Sequence, residues 1–473
     1  MTAVTSVPLR RAVTYGFGPL LTLGLTQALQ SGEQISLSQA ADGIKAHFHT
    51  TDLLIGLLPL AMAVTGLLGA IPMGKLTDTS RRTRLIAAAT VLWAFCMGGV
   101  ALSASLLMLF LLRMGLGGIE ASSMAAVSLV ADYYPVVDRA KRLGIYSGCA
   151  LLGALFSFGI GGVLVDAWGW RAAFYVWVPI ALLVSVLVLR LPEPTRGAQD
   201  ADHAGVLAAA AVPVSLAGNI AEDPTDLGLA LGVHDDDDST WGDVFRRLRG
   251  VPSFWYAVAG VMLANLMLIA AQFWGVSYFK RVHGFSAAKA SGLAGTFGAG
   301  AILGIILGGF VSDRLLKRGI VNARAYVAAT SSALAVVTLG PAWYIQNLWV
   351  GAPLFVLGAM FLTGAIPPTE ALIADVVPAT MRGRANTIRS AARVLSNAGP
   401  FVVAIIATGF GGTKGTGLRM GMTLFTPIML CMAIAMVRAA RTYPRDLAAV
   451  CAEAEQGRLA DDRRAQPSGL PTP

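Results

Sequence analysis

Long apolar segments alternate with short polar links along most of the chain. Each segment has about 20 residues or more, enough for a helix to cross roughly 30 Å of bilayer hydrocarbon. The pattern therefore predicts twelve membrane-spanning helices. They fall near 13–40, 51–75, 84–104, 105–131, 140–166, 170–192, 252–278, 287–313, 321–344, 348–377, 384–411 and 416–438.

A polar connection divides these spans into two groups of six. We therefore predict an N-terminal six-helix bundle (1–192), a cytoplasmic central loop (193–250) and a C-terminal six-helix bundle (251–440). The remaining residues, 441–473, are charged and Pro-rich, which favours a largely disordered cytoplasmic tail. The acidic run HDDDD at 234–238 is typical of a solvated charge run rather than a metal site.

Composition supports a membrane protein. Of the 473 residues, 55% are hydrophobic and only 13% are charged, against about 25% charged in a soluble domain. The four cysteines show no paired spacing that would indicate a disulfide framework. The fold class is therefore an all-α membrane protein.

The lysines and arginines predict the orientation. The links that carry Arg81, Arg82, Arg142, Arg314 and Arg384 all fall on one side of the predicted membrane. By the positive-inside rule that side is cytoplasmic, and it also holds both termini and the 193–250 loop. The net charge of +9 is then a topology signal, and no nucleic-acid partner is expected. The Ala-, Gly- and Arg-rich composition favours a bacterial inner membrane.

An internal repeat supports the division into two halves. GKLTD, which begins at Gly74, is followed 235 residues later by GFVSD from Gly309. ADYYPVVDR, from Ala131, is followed 243 residues later by ADVVPATMR from Ala374. Two motifs recur in the same order, so we predict two pseudo-symmetric bundles with a substrate site near the middle of the membrane.

The fourth span contains ionisable residues on one face. Arg113, Gly117 and Glu120 are spaced i, i+4 and i+7, and Gly117 leaves room for a partner side chain or substrate. Charges inside a bilayer are costly, so they usually face a cavity and pair. Two interpretations stay open: a structural brace between helices, or a carboxylate that binds and releases a proton beside a cation.

Further polar residues inside the spans are candidates for binding a substrate. Asn386, Arg389, Arg393 and Asn397 recur at spacings of 3, 4 and 4, and either attract an anionic headgroup or reach the membrane interface. Glu370 follows two prolines and is a further interior carboxylate. The candidate substrate-binding residues are Gln30, Gln34, Asn265, Gln272, Glu370, Arg393 and Asn397.

The motif GKLTDTSRRTR resembles the cytoplasmic loop motif of the major facilitator superfamily, from which it departs at Thr79, Arg81 and Thr83. The second copy, GGFVSDRLLKRG, is closer to the family pattern. The resemblance implies a fold of twelve helices in two six-helix bundles. It also implies a conformational gating motif, made here of Gly74, Asp78, Arg82, Gly309, Asp313 and Arg314, in which Gly74 allows close helix approach.

Other stretches resemble one branch of that superfamily. RMGLGGIEAS from Arg113, DAWGWRAAF from Asp166, LPEPTRG at 191–197 and FWGVSYFKRVHGFS at 273–286 are similar to Spinster-like transporters and their bacterial relatives. This implies secondary transport, linked to protons, of amphipathic molecules or lysolipids. The stretch around Arg113 also resembles drug:proton antiporters and organic-anion symporters, which are the alternative.

The first span carries a stripe of polar residues in a helix that lines the cleft in this superfamily. Spinster-like relatives have an adjacent Asp-Arg pair here, and this chain has Glu33 followed by Gln34. Glu33 either binds a proton without a partner or shares Arg113 with Glu120. We predict that Glu33, Glu120 and Arg113 carry the proton coupling.

An enzyme, a channel and a transport-inactive receptor are the competing classes. No H-E-x-x-H, G-x-S-x-G or P-loop stretch occurs, so the sequence predicts neither an enzyme nor ATP as the energy source. A channel or receptor is disfavoured only by the family resemblance. We expect a monomer in the lipid bilayer with a small-molecule or lipid substrate, without cofactor or metal, driven by the proton gradient.

Overall fold

The computed structural model describes residues 15–134, 136–195, 241–378, 381–411 and 415–465. These residues form helices and turns, and none of them forms a strand. Most of the predicted central loop, including the HDDDD run, lies outside the described residues.

Twelve long helical elements follow one another in the order expected from the apolar pattern. In the first half, α1 is Phe17–Phe48, α2 is Asp52–Thr79, α3 is Arg82–Leu102 and α4 consists of Leu106–Glu120 and Ser123–Tyr133. Helix α5 consists of Val136–Phe156, a π-helical turn at Ser157–Gly161 and Gly162–Trp168, and α6 of Ala172–Tyr175 and Trp177–Leu189.

The second half repeats the arrangement. Helix α7 is Pro252–His283, α8 is Ala287–Lys317, α9 is Ala323–Tyr344 and α10 consists of Leu348–Gly364 and Ile366–Asp375. Helix α11 consists of Arg382–Leu395, a 3₁₀ turn at Ser396–Ala398 and Gly399–Gly409, and α12 of Gly415–Phe425 and Ile428–Ala465.

Eleven of these elements are long and apolar enough to cross a membrane. The twelfth is α1, whose 32 residues also suffice in length but whose second half is polar. That polar half belongs to the same helix, so α1 ends at Phe48, beyond the limit of 40 predicted from hydropathy. The all-α fold of twelve helices is confirmed.

Helix breaks coincide with residues that interrupt backbone hydrogen bonding. Helix α10 breaks at Ala365, and its second segment begins with Ile366, Pro367 and Pro368. Proline has no backbone N–H, but the first N–H groups of a helix have no intrahelical acceptor, so proline is tolerated at this position. Helix α4 breaks after Glu120, so this carboxylate lies at the end of a helical segment. The breaks place polar side chains where the backbone is irregular.

The chain forms two compact units that do not follow a single boundary in the sequence. In the described residues, one contains 15–34, 65–157 and 174–195, and the other contains 35–64, 158–173 and 241–465. The second unit thus includes the second half of α1, the first half of α2 and the end of α5. The domain boundaries at 192 and 251 stay a prediction.

Two polar segments predicted as loop or tail contain helix. A short linker helix, Trp241–Arg249, precedes α7, and the indole Nε1 of Trp255 donates a hydrogen bond to the Leu248 carbonyl at 2.9 Å. Helix α12 continues to Ala465, through most of the stretch for which the sequence predicted disorder.

Close packing between α8 and α10 depends on glycines at four-residue spacing. A Cβ at Gly300, Gly304 or Gly308 would lie within 2.0–2.3 Å of a backbone carbonyl oxygen of α10. Small residues at this spacing let two membrane helices approach closely. The chain therefore brings the two backbones together where a larger side chain has no space.

The structure corrects one expectation about glycines. A Cβ at Gly74 would meet nothing within 4 Å, so this glycine does not mediate a close helix approach. The Gly117 carbonyl oxygen lies close to α2, since a Cβ at Gly66 would lie 3.2 Å from it. That Gly117 leaves room for a partner side chain or substrate stays a prediction.

Gly304→Val should lower the free energy of unfolding by about 1–3 kcal/mol because the added side chain overpacks the α8–α10 contact. Thermal unfolding in detergent measures this. Gly292→Ala in the same helix is the control; its Cβ would meet nothing within 4 Å. We expect that variant to be as stable as the unmodified chain or more so. Equal midpoints for both variants would contradict the packing argument.

Candidate functional site

A buried ion pair joins α1 to α4 in the first unit. Arg113 Nη1 pairs with Glu33 Oε1, and the two side chains are 1% and 0% exposed. An arginine and a carboxylate are stable together at this depth because each offsets the cost of burying the other. Of the two alternatives for Glu33, the structure has the one in which Arg113 is its partner.

Glu120 lies two turns further along α4 and interacts electrostatically with Arg113. Its Oε1 atom is buried and has no hydrogen-bond partner among the described residues. It lines a small cavity, which Thr26, Gln30 and Trp93 also line. Arg113 therefore interacts with two carboxylates, one in direct contact and one bordering the cavity.

The predicted glutamines of α1 separate into two environments. Gln30 is half-buried and lines the cavity beside Glu120. Gln34 directly follows the buried Glu33 yet is exposed, because adjacent residues on a helix point about 100° apart. The structure brings Gln30 together with Glu120 and leaves Gln34 outside that cavity.

In the second unit, two of the predicted substrate residues form hydrogen bonds within their own helices. Asn265 is buried and its amide donates to the Val261 carbonyl at 2.8 Å, within its own helix. The Asn397 amide likewise donates to the Val394 carbonyl at 3.3 Å. Gln272 borders an aromatic cavity with Phe158, Phe279, Phe297, Trp343 and Phe355.

The polar face of α11 is partly neutralised. Arg389 pairs with Glu370 of α10 and also donates to the Asn386 side-chain oxygen at 2.6 and 2.9 Å. Arg393, one turn further, is exposed. The arginine wall predicted for a headgroup is thus reduced to Arg393, while Arg389 links two helices.

Of the six predicted gating residues, Arg82 has the most developed set of contacts. It is 1% exposed, pairs with Asp132 and donates from Nε to Glu193 Oε1 at 3.1 Å. The Glu193 carboxylate also accepts from the Thr83 backbone N–H at 2.9 Å and the Thr83 hydroxyl at 2.7 Å. By contrast, Asp78, Asp313 and Arg314 are exposed, and Gly74 and Gly309 are not in tight helix contacts.

A similar cluster occurs in the second half, where the sequence analysis had not placed one. Arg324 pairs with Asp375, which also accepts a hydrogen bond from the Tyr443 hydroxyl at 2.6 Å. Asp132 and Asp375 are the aspartates of the repeated ADYYP and ADVVP motifs. The repeat itself was the signal that could have identified both clusters.

Burial by itself raises the pKa of the Glu193 carboxyl. Hydrogen bonds from Thr83 and Arg82 more than reverse this effect, so its pKa lies below the ordinary glutamate value. The carboxylate form is the one that holds this cluster together.

A second charged cluster, missed in the sequence, lies at the ends of α1, α2 and α7. Arg281 donates from Nη1 and Nη2 to the Asp52 carboxylate at 2.8 and 2.9 Å and from Nε to Asp42 at 2.8 Å. Lys45 pairs with Asp52 at 2.7 Å, and Lys280 with Asp42 at 3.3 Å. Asp166 of α5 adds a nearby helix cap, accepting from the Ala287 and Ala288 N–H groups at 2.8 Å each. These contacts link α1, α2 and α7 with one another, and α5 with α8, within the second unit.

A sequence profile described as the Major Facilitator Superfamily matches residues 14–340. The chain belongs to the major facilitator superfamily. It is a multi-pass membrane transporter of this superfamily, which argues against an enzyme.

Similar proteins within the superfamily include the "Probable sphingolipid transporter spinster homolog 1" of Arabidopsis thaliana. It is 24% identical over 376 residues, which cover 77% of this chain and 73% of that protein. The cis,cis-muconate transport protein of Acinetobacter baylyi is 24% identical over 303 residues, covering 62% and 65%.

Solved structures show the same superfamily fold. A bacterial homolog of the human lysosomal transporter Spinster, inward-facing and unoccupied, superimposes with a TM-score of 0.73 at 20% identity. The alignment covers 90% of this chain and 97% of that chain. The resemblance to the Spinster-like branch is confirmed by these relatives.

Removing either partner of the buried Arg113–Glu33 pair should destabilise the transporter by about 3–5 kcal/mol, since a lone charge then stays buried. Glu33→Gln combined with Arg113→Gln should cost less than the sum of the single changes. Equilibrium unfolding of the four proteins in detergent gives the coupling energy. Lys317→Gln, at an exposed position, is the control and should leave stability within about 0.5 kcal/mol. If the loss of unfolding free energy in the double variant equalled the sum of the losses in the two single variants, a direct pair would be contradicted.

Glu193→Gln should lower the unfolding free energy at pH 7 by about 1 kcal/mol, because a partly exposed charged acceptor is lost. The pKa of the Glu193 carboxyl is lower in the folded protein than in the unfolded chain, where it is about 4.3. The ionised carboxylate therefore stabilises the folded protein above that pH, and this stabilisation is lost as the pH falls through the pKa of the folded state. Thermal midpoints of the two proteins should therefore converge below about pH 4. A constant difference across the pH range would contradict the assignment.

Proposed function

We propose that this transporter is a proton-coupled secondary active transporter that moves an amphipathic organic solute or lysolipid by alternating access. The observation that carries the proposal is Arg113, buried in α4, paired with Glu33 and interacting with Glu120. A single cation shared by two carboxylates can compensate only one of them fully. The other carboxylate is then the natural place for a proton.

Glu120 is that second carboxylate. Glu33 is fully buried in direct contact with Arg113, so its charge is already balanced. Glu120 Oε1 has no hydrogen-bond partner among the described residues and borders the small cavity. In this proposal Glu120 accepts the proton, and Glu33 keeps Arg113 in place and sets how strongly Arg113 attracts the Glu120 charge.

Each unit, considered by itself, has a cavity whose lining suits part of an amphipathic molecule. The cavity at Glu120 combines hydroxyl, amide and carboxylate groups with apolar ones, whereas the cavity at Gln272 is predominantly apolar and includes five aromatic side chains. The Arabidopsis relative, named as a sphingolipid transporter, supports the same substrate class. Gln30, Gln272 and the exposed Arg393 are the residues that we assign to substrate contact; Gln34, Asn265, Glu370 and Asn397 stay weaker candidates.

An organic-anion symporter is the second candidate, and a specific observation favours it. The Acinetobacter baylyi relative is named as a muconate transporter, and Arg393 is an exposed cation in the second unit. A drug:proton antiporter is the third member of the same group. These candidates share the proton site and differ in the solute.

The cellular setting belongs to the same proposal. The lysine and arginine distribution supports cytoplasmic termini, and the composition supports a bacterial inner membrane. The transporter works as a monomer in the bilayer, without a cofactor or metal, and takes its energy from the proton gradient. Direction of transport is decided by whether solute and proton move together or in exchange.

Uptake into proteoliposomes under an imposed pH gradient tests this function. The unmodified transporter should accumulate a labelled dodecyl phosphoglycerol, a single-chain amphipathic anion, faster with the gradient than without it. Glu120→Gln cannot ionise, so it should exchange the solute at equal concentrations yet lose the acceleration, by about tenfold or more.

Glu453→Gln, in the tail part of α12, is the carboxylate control and should keep the acceleration. Uptake that ignores the pH gradient would overturn proton coupling. A full response in both Glu120→Gln and Glu33→Gln would overturn the assignment of these carboxylates. Transport of muconate in place of the amphipathic anion would select the organic-anion candidate.

A further inference from the structure

The cavity beside Glu120 contains a second buried polar atom that the proton mechanism does not use. Trp93 of α3 is 3% exposed, and its indole Nε1 has no hydrogen-bond partner among the described residues. Trp93 and Glu120 line the same cavity. A buried N–H without a partner costs about 1–3 kcal/mol, so this arrangement favours a ligand that accepts from it.

The other polar groups of the cavity are partly engaged. The Thr26 hydroxyl donates to the Leu23 carbonyl at 2.6 Å, and the Thr90 hydroxyl donates to the Ile86 carbonyl at 2.8 Å. Trp93 Nε1, which can only donate, and Glu120 Oε1, which accepts when ionised, are the two atoms of the lining that are buried without a partner among the described residues. The cavity thus presents one buried unpaired donor and one buried unpaired acceptor, beside the Gln30 amide and the Ser122 and Ser123 hydroxyls.

The chemistry of these two atoms restricts the ligand group. An ammonium group can donate to Glu120 but cannot accept from Trp93, and a phosphate or carboxylate accepts from Trp93 but cannot donate to an ionised Glu120. A hydroxyl group does both. It also remains a partner when Glu120 is protonated, because its oxygen can accept from the carboxylic acid as well.

We propose that Trp93 and Glu120 together bind a hydroxyl group at the polar end of the substrate, and that Trp93 is a specificity-determining residue. The inference rests on the proposed transport function and narrows its substrate class to hydroxyl-bearing amphipathic molecules. Analogues without the hydroxyl leave both buried atoms unpaired, which is how binding sites reject such analogues.

Two single-chain probes test the inference directly. Dodecyl phosphoglycerol and dodecyl phosphopropanol have the same chain and the same negative charge, and differ only in the two hydroxyl groups of the former. Calorimetric titration of the transporter in nanodiscs should give about tenfold tighter binding of the glycerol compound. Trp93→Phe keeps the ring and removes the N–H, so the preference should fall to about threefold or less.

Matched variants separate specificity from general damage. Trp274→Phe is the control: Trp274 is also buried, but its Nε1 donates to the Pro400 carbonyl at 2.8 Å and its side chain lines neither of the two cavities. It should keep the tenfold preference. Glu120→Gln retains an acceptor oxygen and should keep most of the preference, whereas Glu120→Leu should lose it.

Equal affinities for the two probes, no binding of either, or an unchanged preference in Trp93→Phe would overturn the inference. The outcome is distinguishable from failure of proton coupling. Equal affinities together with intact gradient-driven uptake would remove only the hydroxyl site. A clear preference together with uptake that ignores the gradient would remove only the proton coupling.

Discussion

A charge placed among membrane helices must have a partner, and this requirement organises the interior of the transporter. Arg113 satisfies it through Glu33, Arg82 through Asp132 and Glu193, and Arg324 through Asp375. Each pair joins residues that are distant in sequence, so each also fixes the rotation of one helix relative to another. Ion pairs therefore position the helices more specifically than apolar contacts do. An apolar side chain gains little by contacting a neighbouring helix, because lipid tails are equally apolar.

Close backbone contact completes what the ion pairs begin. The glycines of α8 let its backbone reach that of α10, and Gly66 and Gly69 bring α2 against Gly117 and Gly118 of α4. Because α4 carries Arg113 and Glu120, its tight contact with α2 limits how far these side chains can move. The proposed proton site is thus built on a helix that is held both by backbone packing and by an ion pair.

Hydropathy was sufficient to predict the number and order of the helices, and helical spacing placed Arg113 and Glu120 on one face. Neither pattern could show which carboxylate pairs with Arg113, because the choice depends on how α1 is rotated about its axis. The same limitation hid Trp93, which in the sequence is an ordinary aromatic residue in an apolar span, and the Arg281 cluster, whose members come from three helices. Asp132 and Asp375 were visible as a repeat, yet their role as arginine partners required the folded arrangement. The end of α1 was misplaced because its polar half was taken for a helix end.

The π-helical turn at Ser157–Gly161 interrupts the regular hydrogen-bond ladder of α5. Such single turns with i→i+5 hydrogen bonds are positions at which helices commonly kink. This turn contains the point, between Ser157 and Phe158, at which α5 passes from one compact unit to the other. The irregular turn of α5 and the boundary between the units therefore coincide.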